Sequence, residues 1–197
     1  MDTAALDARW HSAWGSCRPI SHELRGCLHD RWVRFHSLPG SQRYAVNDDE
    51  YAELLHRHAT VLAELLQSGE TSTGQELVLL TASWSSDPEP AERAAELAQA
   101  VPTATYWTSV LTDDSEPEPV WTHLWLSPCR LRDAHLTQLL RLVADDTTDG
   151  VIITTPEMSW LYAPYDGGAD VIVATAVQRD QLRERHQDWL SAHPAGL

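Results

Sequence analysis

Cationic and hydroxyl side chains are concentrated between residues 34 and 44 of a chain that is otherwise strongly acidic. Guanidinium, imidazole and hydroxyl donors grouped around one loop suit a carboxylate or phosphate group. The alternative is a strand end and turn whose arginines pair with the abundant acids nearby. No GxxxxGK[ST] or GxGxxG pattern is present, so a nucleotide-binding loop is not expected. The candidate ligand-binding residues in this segment are Arg34, His36, Ser41 and Arg43.

A second candidate lies between residues 160 and 170, where two aspartates flank a Gly-Gly pair and two tyrosines precede it. A carboxylate pair beside phenols could serve acid/base chemistry or bind a hard cation. The alternative is a tight hairpin in which the first aspartate hydrogen-bonds its own turn and the glycines supply positive φ angles. The residues concerned are Tyr162, Tyr165, Asp166 and Asp170.

The sequence gives little support for a metal site or for a catalytic nucleophile. His56 and His58 are two positions apart on a predicted helix, so they point to different faces, and His123 stands among tryptophans with no converging ligands. The three cysteines form no CxxC pair and predict reduced, mostly buried thiols. No nucleophile elbow is present. We therefore expect neither a metal nor a cofactor.

The charge of the chain is its most distinctive composition feature. The chain has 14 basic residues, all of them arginine, and 29 acidic ones, which gives a net charge of −15. From His58 onward seven arginines meet 21 acids, a net −14. Such a field repels nucleic acid and anionic membranes and attracts a basic partner. It is equally typical of a merely soluble protein.

Nine tryptophans are far above average usage. Most should lie in the core, but any exposed indole would be a candidate for a protein-binding hot spot. Five of them fall on neighbouring predicted strands: Trp84, Trp107, Trp121, Trp125 and Trp160.

Hydrophobic periodicity predicts the element order α-α-β-α-β-α-β-β-α-β-β-β-α, beginning with a helical segment over residues 1–30. Asn47 should cap a long helix, Asp87 should open an alanine-rich helix ending at Ala100, and Thr175 with Gln178 should cap the last helix. Adjacent strands without intervening helices predict an α+β fold in which helices pack on a mixed, largely antiparallel sheet. We expect a single domain over residues 1–197, without a membrane span or a secretory signal, and hence a cytoplasmic location.

Two stretches resemble an uncharacterised bacterial family, a domain of unknown function. One is WVRFHSLP at residues 32–39, followed by Arg43 and Tyr44, and the other is LYAPYDGGADVI at residues 161–172. The resemblance extends over most of the chain. It implies homologues, but it implies no chemistry.

These observations favour a non-enzymatic protein-binding module, an immunity-like or antitoxin-like neutraliser of a basic effector. The alternative is an enzyme or ligand-binding domain whose anion pocket is built from the 34–44 loop and the 160–170 hairpin. A third hypothesis is a homo-oligomer held by tryptophan-rich faces.

Overall fold

The computed structural model describes residues 3–68, 76–115 and 117–191. Six α-helices and seven strands lie within this part of the chain. The helices are α1 (Thr3–Trp14), α2 (Ser21–Cys27), α3 (Asp48–Ser68), α4 (Ala95–Ala100), α5 (Ala134–Ala144) and α6 (Ala176–Arg185). The strands are β1 (Trp32–His36), β2 (Glu76–Ser85), β3 (Thr105–Asp113), β4 (Val120–Arg130), β5 (Ile152–Thr154), β6 (Leu161–Tyr165) and β7 (Gly168–Ile172). None of these helices combines the length and the apolar character needed to cross a bilayer.

The strands form one sheet in the order β1-β7-β6-β5-β2-β4-β3, and all neighbouring strands pair antiparallel. The α+β prediction and the predicted order of elements are confirmed. The predicted hairpin is β6 and β7, in which Tyr165 pairs with Gly168 around a two-residue turn.

Alternate strand residues point to opposite faces of the sheet, and each face has its own core. Leu79 and neighbours on the first face pack against α3, α4, α5 and α6. Leu80 and neighbours on the second face pack against α1 and α2. Each fully buried leucine stabilises the fold by roughly 1.5–3 kcal/mol, so the two cores together hold the helices on the sheet.

The helix ends follow the predicted chemistry in two cases of three. Asn47 Oδ1 accepts from the Glu50 amide at 3.0 Å at the start of α3, and α6 begins with a reciprocal capping box between Thr175 and Gln178. The prediction for Asp87 was wrong, because α4 begins only at Ala95. Asp87 instead accepts from the Glu89 amide at 3.1 Å in a local turn. The next residue is Pro90, which disfavours helical geometry at Glu89.

A break in the sheet positions the candidate site. The short strand β5 pairs with β2 only at Val78–Leu80, so β2 continues through Thr81–Ser85 with β4 as its strand partner on the other side. The segment that enters β5, residues 146–150, lies beside this open end of β2 and shares two cavities with it.

Candidate functional site

The two stretches that carry the family resemblance meet in one ladder. Strands β1 and β7 pair so that Arg34 faces Asp170 and His36 faces Gly168. A Cβ atom at position 168 would come within 2.0 Å of the Phe35 carbonyl oxygen. Glycine is therefore required at this position by close approach between the strands.

Arg34 and Asp170 form the central ion pair. Arg34 Nε and Nη2 each donate to the Asp170 carboxylate at 2.8 Å, and Trp32 Nε1 donates to the same carboxylate at 2.7 Å. The guanidinium also lies 4.6 Å from the centre of the Tyr165 ring. Burial lowers the pKa of Arg34, but its hydrogen bond and Coulomb attraction to Asp170 outweigh that effect, so the net pKa is raised. The charge of Arg34 is thus already balanced inside the protein.

Arg43 is neutralised in the same way by the hairpin. Its Nε donates to Asp166 Oδ2 at 2.5 Å, so Asp166 bonds an arginine rather than capping its own turn. The hydrogen bond from Tyr44 to Asp166 raises the pKa of the Tyr44 phenol. Both arginines of the 34–44 segment therefore pair with acids of the 160–170 hairpin.

The expectation that the hairpin glycines supply positive φ angles was wrong. Among the described residues the positive-φ glycines are Gly15, Gly40 and Gly150, whereas Gly167 and Gly168 lie outside that region. Ser41 adopts a φ of 58° in the turn after β1 and lines neither of the two cavities described below.

The structure does not bring His36 and Tyr162 into a shared site. His36 Nε2 is buried without a hydrogen-bond partner in the described part of the chain, and burial together with the nearby charge of Arg34 lowers the pKa of this imidazole. Tyr162 points to the first face of the sheet, where its hydroxyl lies 2.5 Å from His58 Nδ1. The other ring nitrogen of His58 lies 3.2 Å from Ser37 Oγ.

The Ser37–His58–Tyr162 chain has the connectivity of a nucleophile, a base and an orienting group. All three side chains are buried, with exposures of 2%, 3% and 2%. Burial lowers the pKa of His58 to about 4, which is far from the neutral range that suits a general base. These three hydrogen-bonded side chains connect α3 to β6 and to the end of β1, and their burial leaves no access for a substrate.

His123 is another buried histidine with both ring nitrogens occupied. Its Nε2 lies 2.8 Å from Ser85 Oγ and its Nδ1 lies 2.7 Å from Ser109 Oγ. Ser85 Oγ donates to the Asp87 carbonyl, so it accepts from Nε2 of His123, and burial lowers the pKa of this imidazole. In the residues that the structure describes, no three His, Cys, Asp or Glu side chains are grouped as metal ligands would be.

A cavity of about 300 Å³ lies beside the Arg34–Asp170 pair on the second face of the sheet. Arg34, Tyr165 and Asp170, three of the predicted site residues, line it. His22 of α2 and Asp149 complete its polar wall. The structure thus brings three of the predicted site residues to one cavity and leaves the others outside it.

A larger cavity, of about 480 Å³, adjoins the first at the open end of β2. Trp84 and Asp149 line both cavities. Glu92, Asp146 and Asp149 are the charged residues of the larger one, and no basic side chain contributes to its wall. Partial desolvation, together with the neighbouring charge of Asp146, raises the pKa of Asp149.

Trp84 is 44% exposed, whereas Trp107 and Trp160 are buried and Trp121 and Trp125 are partly covered. The ring of Trp84 lies against Gly150, whose φ is +69°. An added Cβ there would lie 2.9 Å from Trp84 Cζ2. The exposed indole therefore leaves no room for a side chain at position 150.

The sequence pointed to Trp84 as one of the tryptophans that could form a protein-binding hot spot, but it gave no indication of the carboxylates around this residue. Glu92 precedes α4, whereas Asp146 and Asp149 follow α5. Glu92 is therefore more than fifty residues away from the two aspartates in the chain. The available signal was the acidic run ending at Gly150 just before a buried strand. That signal does not show which surface the acids share.

The model of DUF3885, a family described as a domain of unknown function, matches residues 20–194. Both stretches that carry the resemblance fall within this range. No curated protein matches the chain, and no solved structure does.

Proposed function

This chain belongs to the DUF3885 family, and we propose that it is a non-enzymatic binding protein for a basic protein partner, which it neutralises in the manner of an immunity protein or antitoxin. The observation that carries the proposal is the position of Trp84. Its exposed indole stands where two cavities meet, in a wall whose free charges are carboxylates.

Electrostatics supports a cationic partner. The larger cavity contributes three carboxylates, from Glu92, Asp146 and Asp149, and no arginine lines it, although Arg43 attracts Asp146 from outside the wall. In the smaller cavity Arg34 and Asp170 cancel each other, which leaves Asp149 as the unbalanced charge. A protein of net charge −15 steers basic partners toward such a surface over a distance of about a Debye length.

Trp84 supports a protein as that partner. Tryptophan is enriched among the residues that dominate protein–protein binding energy, particularly near the centre of an interface, where the surrounding contacts exclude water. A tryptophan side chain has only two torsion angles to order. Little side-chain entropy is therefore lost when a partner covers it.

The proposal is tested with a nine-residue peptide of alternating arginine and lysine, titrated into the protein by calorimetry at low and high salt. The variant Glu92→Gln/Asp146→Asn/Asp149→Asn should bind about tenfold more weakly at low salt, since exposed ion pairs contribute roughly 0.2–1 kcal/mol each. The control Asp114→Asn/Glu118→Gln/Glu184→Gln removes the same charge from exposed positions outside both cavities. It should bind nearly as the wild type does. Equal loss in both variants would reduce the interaction to net charge and contradict the proposal.

Binding of a small anion is a second candidate function, and one observation favours it. Arg34, Tyr165 and Asp170, from both resemblance-carrying stretches, line the same 300 Å³ cavity. An anion would have to compete with Asp170 for Arg34, so we expect weak binding. Calorimetry with phosphate on wild type and Arg34→Gln tests it, and identical heats from the two proteins would dismiss this candidate.

A further inference from the structure

Arginine guanidinium groups lie over the rings of four tryptophans in the described part of the chain, namely Trp14, Trp32, Trp125 and Trp189. The guanidinium of Arg31 lies 5.1 Å from the ring centre of Trp14, and that of Arg93 lies 5.6 Å from the ring of Trp125. Attraction between a cation and the face of an indole is favourable at such distances. The chain thus uses arginine repeatedly as the cover for an indole.

In two cases a carboxylate completes the arrangement. Arg34 lies 5.7 Å from the Trp32 ring centre while it is bound to Asp170. Arg57 lies 5.1 Å from the Trp189 ring centre while its Nε donates to Glu53 at 2.6 Å. Each guanidinium therefore has an indole on its face and a carboxylate at its edge, an arrangement that suits its planar fork of donors.

Trp84 has the indole and the carboxylate but lacks the arginine. In the described part of the chain, which includes all fourteen arginines, none lies over its ring. Asp149 lines the same two cavities and is the neighbour of Gly150, which contacts the ring. Beside them the larger cavity offers about 480 Å³ of space.

We infer that the cavity beside Trp84 receives an arginine side chain of the basic partner, with its guanidinium stacked on the indole and paired with Asp149. The inference rests on the proposed function and specifies which residue of the partner is recognised. Lysine fits this site less well, because its ammonium is a strongly hydrated point charge that cannot stack or bind a carboxylate with two parallel donors.

Hexa-arginine and hexa-lysine carry equal charge, so a comparison of their affinities distinguishes an arginine-specific site from general electrostatic attraction. Wild type should bind hexa-arginine about five- to tenfold more tightly than hexa-lysine. Trp84→Ala should bring the two affinities close together, and Trp84→Phe should keep part of the preference. The control Trp121→Ala removes a partly covered indole outside both cavities and should keep the full preference.

The Trp84 indole N–H resonance, identified by its absence in Trp84→Phe, gives a second readout that does not depend on affinity. It should shift with hexa-arginine and remain in place with an equal concentration of hexa-lysine. Equal affinities for the two peptides, or a preference that persists in Trp84→Ala, would overturn the arginine site while the basic-partner proposal stands. Binding of neither peptide would overturn both.

Discussion

Arg34 and Asp170 occupy opposite positions of the β1–β7 ladder, and the arginine donates two hydrogen bonds of 2.8 Å to the aspartate. The side chains are only 18% and 10% exposed. The pair therefore joins the two stretches that carry the family resemblance. At this buried position water screens the attraction between the two charges only weakly.

Removing one member of this pair should cost more than removing both. We expect Arg34→Leu to lower the free energy of unfolding by about 3 kcal/mol, because the Asp170 carboxylate would be left buried without its cation. The double variant Arg34→Leu/Asp170→Leu should lose less than Arg34→Leu alone, because no unpaired buried charge remains. Urea denaturation of all three proteins measures this coupling.

A surface pair supplies the comparison. Arg185 is half exposed where it meets Glu64, so Arg185→Leu should cost at most about 1 kcal/mol. Losses of the same size at Arg34 and Arg185, or strictly additive effects at Arg34 and Asp170, would contradict the buried-pair account.

Gly150 should tolerate no side chain. Its φ of +69° disfavours other residues, and an added Cβ would lie 2.9 Å from both Ala82 Cβ and Trp84 Cζ2. We expect Gly150→Ala to lose about 2 kcal/mol of unfolding free energy from backbone strain and overpacking. It should also displace the Trp84 ring, so the Trp84 indole N–H resonance should shift.

Gly26 is the matched control, because it lies inside α2 and has no atom within 4 Å of an added Cβ. Gly26→Ala should therefore stabilise the protein by about 0.5–1 kcal/mol. A neutral Gly150→Ala variant with an unchanged indole resonance would show that the ring does leave room for a side chain at position 150.

Periodicity predicted the fold well because the strands and helices bury apolar faces of the expected period. In β1, Val33 and Phe35 are buried and alternate with the partly exposed Arg34 and His36, and the Thr175–Gln178 box placed the start of α6. The prediction for the start of α4 failed because the local cap signal at Asp87 is overridden by Pro90, three residues later.

The site was predictable only in part. Pairing of β1 with β7 was not visible in the sequence, so the alternatives of an anion site and of internal ion pairs at Arg34 could not be separated. The acids around Trp84 come from distant segments, and only the short length of β5 brings residues 146–150 beside the end of β2. Such a break in a sheet leaves no periodic signal.

Thiol reactivity should distinguish the three cysteines. Cys27 is exposed, whereas Cys17 and Cys129 are buried. Burial, together with the neighbouring Cys27 thiol, raises the pKa of Cys17 to about 12, and burial raises that of Cys129 to about 11, so neither forms much of the reactive thiolate. At pH 8 we expect one thiol to be alkylated rapidly by N-ethylmaleimide and two to be alkylated only in denaturant, since an alkylated Cys27, unlike a mixed disulfide, gives the neighbouring Cys17 nothing to attack. Cys27→Ser should abolish the rapid phase and Cys129→Ser should leave it, whereas a rapid phase of two thiols would be contrary to this burial.

Acid should destabilise the protein through His58. In the unfolded chain this imidazole binds a proton below its ordinary pKa of 6.5, but in the folded protein burial delays protonation to about 4. The contribution of neutral His58 is thus complete above pH 6.5 and is lost as the pH falls toward 4, a difference of about 3 kcal/mol.

Urea denaturation between pH 7.5 and 4.5 should show this decline. His58→Gln should show a shallower one, with a remainder because burial also lowers the pKa of His36 and of His123. The control His11→Gln changes an exposed histidine of α1 and should follow the wild-type curve. Parallel curves for wild type and His58→Gln would mean that His58 is not the group that senses acid.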